Sequence, residues 1–303
     1  MFHVKHLFME NLFECPKCSG NNLELFLECI DYTVSKERFK IDSCKKCGFK
    51  FTNPRPDSAS MNRYYDSVDY ISHSNTNAGI INKIYHLIKK LAIKNKIELI
   101  KNLNSGNNKL LDIGCGTGSF LGLLKKEGWE VTGIEPNEKA ANLAKETYSI
   151  SVVGEEKVKS FIKESFSIIT MWHVMEHVHN LKQRIIEVFD LLEKNGFAVI
   201  AVPNYTSWDA KHFGSHWAAY DVPRHLYHFS PASIKELFTE SNFRHIKSLP
   251  MKFDAYYVSM LSEKYKGSTF KLFKAFFLGM YSNIKAKNDS EKYSSVIYIF
   301  QKK

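Results

Sequence analysis

The sequence predicts an α/β protein: a mostly parallel sheet covered by helices on both faces, preceded by a small β-ribbon. Three observations carry that reading. From Lys109 onward, short apolar strand signals alternate with amphipathic helix signals. A turn containing Gly114, Gly116 and Gly118 follows the first of those strands, and two Cys-x-x-Cys pairs lie upstream of it.

At 303 residues the chain suits one large domain with an appendage, and a fold of this size buries about 75% of its unfolded surface. A composition 44% hydrophobic and 24% charged is ordinary for a globular protein. No run approaches the ~18 apolar residues of a membrane span. The opening stretch MFHVKHLFMENLF lacks the basic start, apolar block and cleavage site of a secretory signal, so the expected location is the cytoplasm. Of the 42 basic residues behind the net charge of +10, only Arg38, Arg55, Arg63, Arg184, Arg224 and Arg244 are arginine, leaving 42 − 6 = 36 lysines. Readers of bases and phosphates favour the planar arginine fork, so the excess reads as a solvated surface and nucleic acid as an unfavoured partner. An anionic membrane surface or a phosphorylated small substrate is equally compatible with the charge.

Between Asn11 and Pro56, the pairs Cys15/Cys18 and Cys44/Cys47 bracket the alternating runs LELFLECI and RFKIDSC, which read as ribbon strands. Two such pairs in a cytosolic chain point to metal rather than disulfide. A unit this small lacks a sufficient core, and a thiolate zinc site supplies about 10–16 kcal/mol in isolated peptides. Cys15, Cys18, Cys44 and Cys47 are therefore expected to hold a structural Zn2+, since four thiolates leave no open coordination position. Cys29 and Cys115 read as small buried hydrophobes.

Residues 1–56 thus form the ribbon, 57–105 a helical link or cap, and 106–303 the main domain. The link turns helical from Met61 to about Leu103, with a polar break at SHSNTNAG. The main domain then reads KLLDIG, SFLGLLKKEG, WEVTGIEP, NEKAANLAKETY, ISVV, SFSIITMW, LKQRIIEVFDLLEKNG closing on Gly196, and FAVIAVP. A helix follows in SPASIKELFTESNF, with Ser230 as N-cap and Pro231 at its first position. HIKSLPMKF and SSVIYIFQ are two closing strands.

Parallel α/β sheets bind ligands beyond the carboxyl ends of their strands, where strand order reverses. Glycines at 114, 116 and 118 let the backbone approach a ligand closely, and the helix beginning near Ser119 directs free amides towards it. Glu135 ends the second strand at 135 − 114 = 21 positions beyond Gly114, where an acid accepts both hydroxyls of an adenosine ribose. A nicotinamide fingerprint needs glycine at 119, where this chain has Ser119. Asp112 adds a negative charge better matched to an amino group or sulfonium than to a pyrophosphate. The donor this points to is S-adenosylmethionine.

The motifs LLDIGCGTGSFL, GIEPN, MWHVMEHV and GFAVIAVPN, in this order, resemble those of class I S-adenosylmethionine-dependent methyltransferases. CKKCGFKFTNPRPD upstream and DVPRHLYHFSP downstream are similar to the bacterial small-molecule and sugar group that carries an N-terminal zinc ribbon. The resemblance implies a Rossmann-like sheet of seven strands, mostly parallel with the last antiparallel. It implies that Asp112, Gly114, Gly116 and Gly118 line the methionine end, that Glu135 holds the ribose with Pro136 beside the adenine, and that Trp172 and His173 flank the methyl donor.

Methyl transfer is an in-line displacement in which the protein aligns the acceptor and, for a hydroxyl, removes its proton. Seven of the twelve histidines fall between His173 and His228, after the fourth and fifth strands. His225 and His177 are the candidate bases, and Tyr220, Arg224, His216 and His228 the candidate acceptor contacts, with Arg224 suited to a phosphate or carboxylate. HVMEH also offers His173, Glu176 and His177 on one helical face as a divalent-metal set. The quinone-biosynthesis O-methyltransferases resemble this stretch, with an acid where this chain has His173.

The stretch FKLFKAFFLGMY, Phe270 to Tyr281, suits a core helix packing on the sheet or a homodimer contact better than a membrane-surface helix. The expected activity is methyl transfer to oxygen, less readily to carbon or nitrogen, of a small metabolite such as a nucleotide sugar, glycan precursor or quinone-like compound. The alternative is an RNA methyltransferase gripping nucleic acid with its ribbon. Against it, Met171, Trp172, His173 and Val174 stand where base-amine methylating enzymes carry an Asn/Asp-Pro-Pro-aromatic tetrad.

Overall fold

The computed structural model describes residues 9–65, 80–103 and 107–303. In the ribbon, β1 (Met9–Glu10) pairs antiparallel with β5 (Arg55–Pro56). Strands β2 (Leu23–Ile30), β3 (Arg38–Cys44) and β4 (Lys50–Thr52) form an antiparallel sheet. Among the described residues, a 3-10 turn at Met61–Tyr64 and helix α1 (Ile80–Leu103) stand where the link is expected to be helical; its polar break lies outside them.

The main sheet contains β6 (Lys109–Ile113), β7 (Glu130–Ile134), β8 (Ser151–Val153), β9 (Phe166–Trp172) and β10 (Leu192–Pro203). After the two-residue β11 (Tyr227–His228), β12 (Phe243–Pro250) and β13 (Ser295–Lys302) complete it. The order is β12-β13-β10-β9-β6-β7-β8, with β13 antiparallel to both neighbours and the other strands mutually parallel. Strand order therefore reverses between β6 and β9, at the glycine turn.

The covering helices are α2 (Ser119–Lys126), α3 (Glu138–Tyr148), α4 (Leu181–Leu191), α5 (Trp208–Phe213), α6 (Pro231–Thr239), α7 (Asp254–Tyr265) and α8 (Lys271–Ala286). Asn137 and Asn180 cap α3 and α4 by accepting from Ala140 N and Gln183 N, and Ser230 forms a capping box with Ser233 ahead of Pro231. Leu110, Leu111, Ile168, Ile169, Val199 and Ile200 have no exposed surface, because both faces of a parallel sheet are covered.

The ribbon does not stand apart from this sheet. Its fourth strand is β11, contributed by the main domain and paired with β4. Ile41, Phe49 and Phe51 of the ribbon share one continuous apolar cluster with Ile113, Met171 and Tyr227. The four-cysteine end is thus braced by hydrophobic contact.

Two sequence expectations are corrected here. The helix expected to run to Gly196 ends at Leu191, because Leu192 already pairs with Phe166 as the start of β10. Gly196 sits in the irregularity between Leu192 and Phe197, where a Cβ would press on the carbonyl oxygens of Glu193 and Ser167 at 2.9 and 3.0 Å. Second, the aromatic stretch is not a helix that packs its large residues on the sheet. Helix α8 buries Ala275, Gly279, Ser282 and Ala286 and turns Phe273, Phe276 and Phe277 outward.

Candidate active site

At the end of β6, Gly114 N and Cys115 N both donate to Ile134 O, tying the turn to β7. All three glycines have positive φ, but for different reasons. A Cβ on Gly114 would strike Val174 at 2.4 Å, and one on Gly118 would strike Ala144 at 2.7 Å. A Cβ on Gly116 would meet nothing within 4 Å. The outer glycines are demanded by packing; the middle one faces open space, as a ligand cradle requires.

Glu135 stands beside that cradle. Its Oε2 accepts from Gly116 N at 2.8 Å and its Oε1 from Asn137 N at 2.9 Å, leaving further lone pairs on a carboxylate already held in place. Pro136 next to it is exposed. Asp112 is 2% exposed and accepts from Thr170 Oγ1 at 2.5 Å; burial pushes its carboxyl up to about 7 against that hydrogen bond. Trp172 lies edge-on to Phe120, and its indole N–H is buried without a partner. These residues have the chemistry an adenosyl donor would need: an anchored carboxylate with lone pairs to spare, an open glycine, a buried acid and an unused donor.

Lys96 of α1 enters the same region, its ammonium 4.1 Å from the centre of the Trp172 ring. Burial holds its pKa below the usual lysine range, with Asp112 and Asp254 opposing that shift. Nothing in the motifs marked Lys96, because the link carries no signature that points to the turn.

HVMEH is a turn, not a helix. His173 leaves β9 with φ +58° and its ring bridges two acids, Nε2 facing Asp254 Oδ2 at 3.0 Å and Nδ1 facing Glu176 Oε1 at 3.3 Å. Burial disfavours its charge, yet the two carboxylates push it up to about 10, so it is an imidazolium that donates from both nitrogens. The expected set of His173, Glu176 and His177 therefore does not converge. Instead Glu176, His177 and His225 do, their ligand atoms all lying within 4.8 Å of one another.

Within that cluster, His225 Nδ1 donates to Ala219 O at 2.8 Å, and His177 Nδ1 lies 3.1 Å from Arg224 O and 3.0 Å from Tyr65 Oη. A carbonyl only accepts, so each ring carries a proton on Nδ1; the neutral His177 ring presents a lone pair at Nε2, while His225 Nε2 lies 3.9 Å from Asp221 Oδ2. Burial, reinforced by His225, pushes His177 down to about 4, so its ring is neutral. Glu176 is wholly buried and its Oε2 has no partner among the described residues.

The expected acceptor contacts divide. Arg224, 1% exposed, donates from Nε and Nη2 to Asp221, from Nη2 to Asp31, and from Nη1 to Tyr64 O. Its guanidinium is held by these four bonds within the fold and borders a cavity also lined by Tyr32, Tyr220 and Tyr265. His228 is buried with Nε2 at 3.1 Å from Thr52 Oγ1, and Tyr220 is buried against His228 and Trp217 and lines the same cavity as Arg224. His216 stacks on Tyr32 of the ribbon and is partly exposed, outside the Glu176 cluster.

At the ribbon tip, the Sγ atoms of Cys15 and Cys47 are 3.6 Å apart, as are those of Cys18 and Cys44. A tetrahedron with Zn–S bonds of about 2.3 Å has edges of about 3.8 Å, so the four sulfurs fit the ion.

Residues 84–248, more than half of the chain, match the family described as a methyltransferase domain. The chain belongs to that family. It is a class I S-adenosylmethionine-dependent methyltransferase, and the seven-stranded sheet with one antiparallel strand is the architecture of that class. This methyltransferase is 29% identical over 201 residues to the ubiquinone biosynthesis O-methyltransferase of Rickettsia prowazekii, spanning 61% of this chain and 78% of the relative. It is 32% identical over 128 residues to the protein of that name from Pelagibacter ubique, spanning 40% and 50% respectively. Among solved structures, the magnesium protoporphyrin IX methyltransferase of Synechocystis superposes with a TM-score of 0.54 at 12% identity, covering 82% of this chain and 100% of that one. At that identity the likeness is one of fold. Among the described residues, no helix is long and apolar enough to cross a membrane.

Proposed function

We propose that this methyltransferase moves the methyl group of S-adenosylmethionine to a hydroxyl oxygen of a small quinone-like ring compound. The observation that carries this reading is the neutral His177 imidazole, its Nδ1 held by Arg224 O, clustered with His225 and the buried Glu176 carboxylate in the turn that follows β9. The ubiquinone biosynthesis relatives support an oxygen acceptor on a quinone precursor. The commitment of Arg224 to Asp31 and Asp221 removes the residue on which a nucleotide-sugar reading would lean.

The bound donor would supply an electrophilic methyl group on sulfur. Gly116 and Glu135 would seat its adenosine, Asp112 would lie towards its methionine end, and Trp172 and His173 would border the reacting side. The His173 imidazolium, fixed between Asp254 and Glu176, holds Glu176 in place and orients the turn that carries His177. His177 Nε2 would take the acceptor hydroxyl proton as the oxygen forms its bond to carbon, while Arg224 O and Tyr65 Oη keep the ring in the required tautomer. His225, fixed by Ala219 O, sits edge to face with His177 at 4.6 Å between ring centres and supports it.

A second reading has its own observation. The unpartnered Glu176 Oε2 and two imidazole nitrogens are the donor types of a divalent cation. In that reading the ion would take the place of the base. Loss of activity to a chelator, restored by Mg2+ or Mn2+, selects it; indifference to the chelator leaves His177 as base. The ribbon cysteines Cys15, Cys18, Cys44 and Cys47 would hold a structural zinc, supported by their sulfur spacing.

The test of the acceptor class is transfer from methyl-deuterated S-adenosylmethionine to a panel of catechol-type ring compounds, nucleotide sugars and RNA, read by mass spectrometry. Label on a ring hydroxyl is expected. Label on a sugar or on RNA would overturn the reading.

A further inference from the structure

Helix α8 is built inside out. Its buried stripe is small, Ala275, Gly279, Ser282 and Ala286, with Gly279 in such close contact with Tyr256 of α7 that a Cβ would come within 2.8 Å of that backbone. Its outer face carries Phe273 (69% exposed), Phe276 (55%), Phe277 (44%) and Ile284 (56%), with Phe270 at 83% just before it. Scattered apolar side chains on a surface need no explanation, but a contiguous aromatic face does.

The charges around that face are of one sign. Between Lys252 and Lys287 the chain has seven lysines, Lys252, Lys264, Lys266, Lys271, Lys274, Lys285 and Lys287, all exposed, and α8 itself has no acidic residue. The only carboxylates in that span are Asp254, paired with His173, and Glu263, 4% exposed. We propose that the α7–α8 hairpin docks on an anionic phospholipid surface, aromatic rings in the headgroup–acyl boundary and lysines at the phosphates.

Charge decides against a second copy of the chain. A two-fold contact sets each patch against itself, and along α8 that places lysine opposite lysine with no acidic residue on the helix to answer it. A bilayer rich in anionic lipid answers the exposed lysines of α8, Lys271, Lys274 and Lys285. The hairpin is also joined to the active site: Asp254 opens α7 and bonds His173, and Ser262 of α7 accepts from Ala218 N in the segment leading to His225. Docking there would bring the acceptor side of the site to the membrane, whatever the acceptor is.

The experiment is co-flotation of the full chain with vesicles of phosphatidylcholine alone or with about 30% phosphatidylglycerol, across a range of salt. Binding to the anionic vesicles, weakened by salt and absent from the neutral ones, is expected. Lys271→Glu with Lys274→Glu should reduce it about twentyfold or more, at about fivefold per lysine, and Phe273→Ser with Phe277→Ser should abolish it. Because these side chains are exposed, both variants should keep the wild-type circular dichroism and donor affinity. A Phe273→Trp variant gives a second readout, a blue shift of its added emission when anionic vesicles are introduced. No flotation at low salt, or flotation indifferent to both double variants, would overturn the proposal. So would a concentration-dependent dimer in sedimentation that the phenylalanine variant dissolves, which would assign the face to a second copy.

Discussion

Arg224 Nη2 lies 3.0 Å from Asp31 Oδ1, across 193 positions of sequence, with both side chains at most 1% exposed. Asp31 also accepts from the amides of Thr33, Val34 and Ser35, so the bond runs from a fixed ribbon turn to the loop that carries His225. Ribbon and active site are therefore one mechanical unit. Removing Arg224 strands the buried Asp31 carboxylate, at a cost of about 3–5 kcal/mol, whereas removing Asp31 leaves the guanidinium paired with Asp221. Arg224→Leu should lower the free energy of unfolding measured in urea by that amount and reduce turnover with it, whereas a paired Asp31→Leu, Arg224→Leu change should recover much of the stability. Equal, additive losses in the double-mutant cycle would show that the two do not interact.

A second prediction concerns the cysteines. On treatment with a chelator, or with Cys44→Ser, the four-sulfur tip proposed to hold zinc should lose its order while the apolar cluster of Ile41, Phe49 and Phe51 delays full unfolding of the ribbon. Metal analysis should give one zinc per chain in the wild type and none in the variant. A variant that kept its melting temperature would contradict a stabilising metal.

His177→Gln should lower kcat by about 10²- to 10⁴-fold if the ring is the base, with donor affinity in calorimetry unchanged. A glutamine retains hydrogen-bonding capacity without accepting a proton, so the split between kcat and binding reads the proton step. Equal loss of donor binding would mean that the residue supports the fold instead.

Much of this arrangement was legible before any coordinates. The strand signals are strong because fully buried parallel strands are uninterrupted apolar runs, and the glycine turn with Glu135 announces itself by fixed spacing. The turn at HVMEH was not legible, because the i, i+3, i+4 spacing of His173, Glu176 and His177 is also met by a chain that reverses at a positive-φ histidine. The role of Arg224 was hidden for a different reason: its partner Asp31 is far away in sequence, and an arginine beside a histidine looks the same whether its fork is free or spent. Asp254 and Lys96 belong to no motif and reach the site only through the packing of α7 and α1.

Asp112 gives a pH dependence with a definite sign. Its folded pKa is raised from the usual carboxylate range to about 7, so below that value the carboxyl keeps its proton and is neutral. A cationic donor favours the ionised form, so affinity for S-adenosylmethionine should rise as pH increases through about 7 and level off above it. Below the midpoint the dissociation constant should weaken towards about tenfold per pH unit. Asp112→Asn should bind weakly at every pH in this range, and a pH profile identical to that of the wild type would remove Asp112 from the donor site.

The placement of the donor itself is tested most directly by calorimetric titration of S-adenosylmethionine into the wild type and Glu135→Ala. The wild type should bind one equivalent. The variant loses two charge-assisted hydrogen bonds to the ribose and should bind about a hundredfold more weakly, while remaining folded. Full affinity in Glu135→Ala would contradict the account, because the donor would then lie somewhere other than beside the Gly116 turn.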